Sequence, residues 1–233
     1  MPSNGGTICQ MYLPPQFKST DRAIAAALMR AHPFASLISI DDDGLPYVTN
    51  LPLVLEERAV PGQDEPQFVL LGHVAKPNPH WRYLQARARA VVTFLGPHAY
   101  LSPSVYPDLA RVPTWNYLTV HCTVQASLTD EPQAKDALLK KLIGEHEPAY
   151  AEQWRGLSEE YALKMLAGIV AFELPVTQLQ CKLKLNQHRP EAHARMKEVY
   201  RAGTPDEQAL AQWMAKLGMA PAISPVVSPE ATP

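Results

Sequence analysis

Residues 33–55, "PFASLISIDDDGLPYVTNLPLVL", hold two apolar runs separated by three aspartates and a glycine. Asp43-Gly44 is a strong hairpin signal, because glycine enters the left-handed backbone region without steric cost. The segment therefore reads as one antiparallel pair, "PFASLISI" against "PYVTNLPLVL". Upstream, Ile24, Ala27, Leu28 and Ala31 recur at helical spacing. They predict a helix from Asp21 to Ala31, with Ser19 or Thr20 as cap and Pro33 as terminator.

Downstream, a loop with Pro61, Gly62 and Pro66 leads to a third strand, "QFVLLGHV", and then to a helix carrying Trp81 and Leu84. "RAVVTFLG" and "VPTWNYLTVHCTVQASL" read as strands joined by the proline-bearing loop "PHAYLSPSVYPDLAR". A helix fits Glu131 to Glu145, with Asp130 as cap and Leu138, Leu139, Leu142 and Ile143 as its apolar stripe. "LSEEYALKMLAG" is a shorter helix capped by Ser158, and "IVAFELPVTQLQCKLKL" returns to strand character. Two helices close the pattern, the second opened by the capping box "TPDE" with Thr204 and Glu207. The expected fold is mainly β with helical additions (α+β), a closed or half-closed barrel with helices in the connections and at the C-terminus. Residues 1–10 are expected to be flexible, 11–190 to form the barrel domain, 191–219 a helical segment, and the proline-rich 220–233 a disordered tail.

Composition narrows the function. Twenty-one Lys and Arg against 23 Asp and Glu give a formal charge of -2, so the whole chain has no electrostatic drive toward nucleic acid or membrane. A secretory signal and a bilayer-length apolar run are both missing from the pattern, which implies a cytoplasmic protein. Cys9, Cys122 and Cys181 are odd in number without C-x-x-C spacing, and read as reduced thiols. No histidine pair has metal-ligand spacing, and the glycine-loop phosphate motifs do not occur.

Chemistry-bearing residues concentrate in four places. In "GHVAKPNPHW" (72–81), Asn78 is placed to cap a helix with Pro79 in its first turn, beside Lys76 and His73, which makes a candidate anion site. An ordinary helix start with a solvated lysine is the alternative. Trp115 and Tyr117 share one face of a strand, with Thr114, Asn116 and Leu118 on the other, suited either to a flat aromatic ligand or to core packing. Tyr100, Ser102, Ser104 and Tyr106 lie in the proline-stiffened loop. Between Lys182 and Arg201, six basic residues face two acids, a candidate patch for nucleic-acid phosphate or an anionic cofactor.

These stretches, "HPFA" (32–35), "GHVAKPNPHW", "GPHAYLSPSVY" (96–106) with "VPTWNY" (112–117) and His121, and "KLKLNQHRP" (182–190), together with "MYLPPQF" (11–17), resemble the PaiB-type FMN-binding negative transcriptional regulators. The resemblance covers roughly residues 11–217. It implies a split β-barrel of the FMN-binding type, related to pyridoxamine phosphate oxidases, and a homodimer with FMN in interface clefts. It places the flavin phosphate at His73, Lys76 and Asn78, and the ring along Val48, Thr49, Asn50 and Leu51. Ser102, Tyr106, Trp115 and Asn116 match the motifs that line the cleft. Lys184 and Gln187 match the C-terminal motif, where Lys184 is suited to the charge of a reduced flavin. DNA contact would fall to the 182–201 segment. The chain departs from the pattern at Asn186, His188 and Val105. An FMN-dependent oxidoreductase and a haem-binding barrel using His121 or His188 are the rival readings.

Overall fold

The computed structural model describes residues 11–108 and 110–219. The expectations for residues 1–10, including Cys9, and for the tail 220–233 lie outside the described residues. In chain order the regular elements are β1 (Lys18–Ser19), α1 (Arg22–Ala31), β2 (Phe34–Ile40), β3 (Pro46–Pro52), β4 (Val54–Arg58), β5 (Gln67–Ala75), α2 (His80–Ala86) and β6 (Arg89–Leu101). There follow β7 (Thr114–Gln125), β8 (Ser127–Thr129), α3 (Pro132–His146), α4 (Tyr150–Arg155), α5 (Glu159–Ala167), β9 (Ile169–Lys184), α6 (His193–Arg201) and α7 (Pro205–Lys216). The described residues cluster into two units: one takes in 11–13, Ser19–Gly96 and Thr119–Cys181, the other Pro14–Lys18, Pro97–Leu118 and 182–219.

The hairpin read from Asp43-Gly44 is present. Gly44 has φ +82°, and the Asp41 carboxylate accepts from the backbone N–H groups of Asp43 (3.0 Å) and Leu45 (2.8 Å). β2 and β3 pair antiparallel from Phe34 opposite Pro52 to Ile40 opposite Pro46. The sheet order is β3-β2-β6-β7-β9-β5-β4. Within the first unit β3 also approaches β5, which lies near the far end of that order, so the sheet curls on itself as a split barrel does. The mainly β architecture with helical additions is as the strand pattern implies.

The core of the first unit gathers on β5. Val54, Val69, Leu71 and Ala171 from β4, β5 and β9 meet Leu138 and Leu142 of α3, all buried. Burying each such leucine contributes about 1.5–3 kcal/mol. Gly72 sits at the centre of β5 opposite Phe172, where a Cβ would lie 2.5 Å from Leu53 Cδ2 and 3.0 Å from Phe172 Cε2. Only a hydrogen fits there. Cys122 and Cys181 are buried free thiols, and burial pushes each up to about 12.

Several local expectations are corrected. Asp21, not Ser19 or Thr20, caps α1, its carboxylate accepting from Ala23 N (2.8 Å) and Ile24 N (3.2 Å), while Ser19 accepts from Asp21 N. "PYVTNLPLVL" is two strands, because Pro52 offers no N–H to the ladder and Leu53 N donates instead to Pro33 O at 2.9 Å. β4 then pairs with β5. β6 runs on through Pro97 to Leu101, with Ala99 and Leu101 buried and Tyr100 exposed, so the start of the expected loop keeps strand periodicity. Glu131, not Asp130, occupies the capping position before α3, without a side-chain cap bond, and Asp130 instead pairs with the buried ammonium of Lys135. α4 was not anticipated. Ser158 does cap α5, and Thr204 and Glu207 do form the capping box of α7.

Asn186 follows β9 with φ +64°, a left-handed conformation that asparagine tolerates better than branched residues. The departure at Asn186 thus falls where the backbone favours asparagine.

Candidate functional site

The turn after β5 is tied to β3 by side chains rather than by a helix cap. α2 begins at His80, one residue later than the sequence implies, and at seven residues it is too short to present a strong anion-binding terminus. Asn78 still serves the turn: its Oδ1 accepts from His80 N (3.0 Å) and from Tyr47 Oη (3.4 Å), and its Nδ2 donates to Thr49 Oγ1 (3.3 Å). His80 Nδ1 lies 2.7 Å from the same Thr49 oxygen. The Thr49 hydroxyl can donate to His80 Nδ1 or accept from it, and the tautomer so chosen decides whether the other ring nitrogen, Nε2, is a donor or an acceptor. That nitrogen is buried and without a partner. The ring is fully buried, packed edge-on against Tyr47 (5.1 Å), and its pKa is lowered to about 4 by desolvation. Neutral His80 therefore presents a buried, unmatched ring nitrogen beside β3.

Lys76 is exposed, and its backbone is fixed at both ends: its N donates to Gly168 O (2.8 Å), and its carbonyl accepts from Trp81 Nε1 (3.0 Å). Arg82 stacks over Trp81 at 5.2 Å, a second cation at the same turn. His73 is half-buried within β5, opposite Ala171, and desolvation lowers its pKa. Strand alternation divides the other predicted residues, with Val48 and Asn50 on the outer face of β3 and Thr49 and Leu51 on the opposite face. Phe34, Ile40, Val48 and Leu95 leave 67, 42, 52 and 56% of their surface exposed on β2, β3 and β6. Asn50 bonds Ser36 across the pair at 2.8 Å.

The second unit gathers Tyr106, Asn116 and Lys184 around a cavity of about 290 Å³. Lys184 Nζ donates to Thr114 Oγ1 at 2.7 Å, and Asn116, wholly buried, donates to Tyr200 Oη at 3.1 Å. Ser102 and Ser104 share a hydrogen bond of 2.9 Å, and Ser102 opens the 3-10 turn Pro103–Val105. Trp115 is exposed, with His98 and Tyr100 as ring neighbours. Gln187 turns back onto its own backbone, donating to Leu183 O and accepting from Leu185 N (3.0 Å). Sequence reasoning missed His80, Tyr47, Arg82 and Arg111. Only the Asn-Pro-His-Trp run could have flagged His80, and nothing local distinguishes Arg111.

A family model described as "Putative FMN-binding domain" matches residues 11–178. The chain is 32% identical over 182 residues to "Protease synthase and sporulation protein PAI 2" of Bacillus subtilis (strain 168), covering 78% of this chain and 84% of that protein. Among solved structures it is similar to the flavocytochrome Anf3 from Azotobacter vinelandii, with TM-score 0.56, 17% identity, and coverage of 72% of this chain and 69% of that one. It is also similar to the FAD and haem binding protein from Mycobacterium smegmatis, with TM-score 0.54, 19% identity, and coverage of 72 and 73%. At these identities the structural likeness concerns the fold.

Burial of neutral His80 makes stability depend on pH. The unfolded chain takes up a proton near pH 6.5 and the native histidine only near 4, so its contribution is complete above the former value and is lost as pH falls toward the latter. The loss expected over that window is up to about 3 kcal/mol. Urea denaturation at pH 7, 5.5 and 4 should show it, and His80→Gln should flatten the profile; an unchanged slope would refute a neutral buried His80. His73 shifts in the same direction and leaves a residual slope.

Proposed function

The chain belongs to the FMN-binding family whose model it matches over residues 11–178, and from that premise we propose that it seats the flavin phosphate at the β5–α2 turn. The observation that carries this reading is the donor set at that turn, which lies inside the matched stretch. Lys76 and Arg82 supply charge, and His80 Nε2, protonated in the tautomer in which Thr49 donates to Nδ1, supplies a buried donor lacking an acceptor. A buried polar group without a partner costs roughly 1–3 kcal/mol, which a bound acceptor would recover. Phosphate and the flavin carbonyls are acceptor-rich, so the residues present fit the group. His73 and Asn78 act one step back, Asn78 by fixing the turn to Thr49. The ring is proposed to lie along β3, on whichever face of Val48 to Leu51 the phosphate position selects. Bound there, FMN supplies redox chemistry that the protein tunes through the charges it places around the ring.

A homodimer is proposed from the outer face of β2, β3 and β6. An apolar surface made by Phe34, Ile40, Val48 and Leu95 is of the kind that marks protein contact sites. A regulatory role follows from the resemblance to PaiB-type regulators, with DNA contact proposed for the 182–201 segment. Within that segment Lys182 is buried with its ammonium 5.2 Å from the Tyr117 ring, and Arg195 pairs with Glu198 at 2.7 Å. The proposal therefore rests on Lys197 and Arg201 of α6.

Lys76→Glu should lose at least tenfold in FMN affinity by fluorescence quenching while the circular dichroism spectrum is kept; undiminished affinity would remove the phosphate from this turn. In sedimentation, Val48→Glu with Leu95→Glu should convert a dimer to a monomer, and a wild-type monomer would contradict the interface. Gel-shift affinity for DNA should fall steeply with salt, and Lys197→Gln with Arg201→Gln should lower the log–log slope by about 1 per residue. An unchanged slope would exonerate α6.

A further inference from the structure

The cavity in the second unit has a chemistry of its own. Its charged lining is Arg111, Lys184 and Arg189, with His188 beside them and no carboxylate among the lining residues. Two buried polar atoms there lack partners: Arg111 Nε, a donor, and Asn116 Oδ1, an acceptor. Asn116 is wholly buried, and its amide nitrogen is already committed to Tyr200, so the carbonyl cannot be satisfied by flipping without stranding the other end. Arg111 is held in place from outside the lining by Asp108 (2.8 Å) and, more distantly, Glu191 (3.8 Å), and its guanidinium lies 5.3 Å from the Tyr106 ring centre. These contacts leave Nε unmatched. Lys184 is positioned by Thr114, and Arg189 reaches Glu191 only at 3.9 Å.

A ligand that completes this site must bring both an anionic acceptor for the cations and a donor for the asparagine carbonyl. An ammonium donor is disfavoured by three neighbouring cations, and a hydroxyl is the smallest neutral donor that a compact anion can carry. The volume, about 290 Å³, is at the lower end of the range for small-molecule sites and suits a compact molecule. We propose that this cavity binds a small hydroxycarboxylate, its carboxylate held by Arg111, Lys184 and Arg189 and its hydroxyl donating to Asn116. The site is assigned on the second unit alone, and it gives Tyr106, Asn116 and Lys184, which the resemblance assigns to the flavin cleft, to a second ligand.

Isothermal titration of glycerate into the full-length protein, loaded with FMN and in parallel without it, tests the assignment. Saturable binding is expected in both, at least tenfold tighter than for propionate, which has the carboxylate but no hydroxyl. Arg111→Gln should weaken glycerate at least tenfold with the melting temperature and FMN content unchanged; if that variant does not fold, Arg189→Gln should weaken it in the same direction. Absence of saturable heat, equal affinity for glycerate and propionate, or full affinity in the folded variant would overturn the proposal. Failure of the flavin reading would instead appear as protein without flavin absorbance, whatever the glycerate titration shows.

Discussion

Strand β5 is the constraint on which the first unit depends. It pairs with β4 on one side and β9 on the other, and Gly72 at its centre lets Leu53 and Phe172 close to distances no side chain would permit. Enlarging that position would push apart two buried residues, with overpacking costs of about 1–3 kcal/mol. The close approach brings the end of β5 to a fixed place, and the polar turn that follows inherits it. Lys76, Asn78 and His80 are therefore positioned by core packing several residues away, with Thr49 of β3 as the tether.

That arrangement separates two kinds of polar group. Asn78 and Thr49 are satisfied by one another and by the backbone, so they hold geometry. His80 Nε2 is buried and unmatched, a cost that a structure carries most readily where a ligand removes it. The second unit repeats the logic with different chemistry: Lys184 is anchored by Thr114, while Arg111 Nε and Asn116 Oδ1 remain open. Two sites with unmet hydrogen-bonding capacity, one at a turn that also carries Lys76 and Arg82 and one lined by three cations, suit different acceptor-bearing ligands.

Features set by neighbours in the chain were legible before the structure. The Asp43-Gly44 turn needs only a glycine at positive φ, and the Thr204–Glu207 box and the Ser158 cap close within one helical turn. Features set by distant partners were not. Asp130 looks like a cap until buried Lys135 claims it, and His80 looks like an ordinary helix residue until Thr49 of β3 arrives beside it. Pro97 and Pro103 suggested a loop throughout, yet the sheet carries β6 to Leu101. The helix-start pattern marked the stretch containing Lys76 and Asn78 and the resemblance supplied the family, whereas the unmatched atoms of His80, Arg111 and Asn116 emerge only from packing.

The central claim is that the β5–α2 turn makes this a flavin protein. The most direct measurement is the absorption spectrum of the protein after mixing with FMN and removal of unbound ligand by gel filtration. The account predicts flavin bands that co-elute with the protein and release FMN on denaturation. Protein that elutes without flavin absorbance, or that carries a haem spectrum in its place, would contradict it.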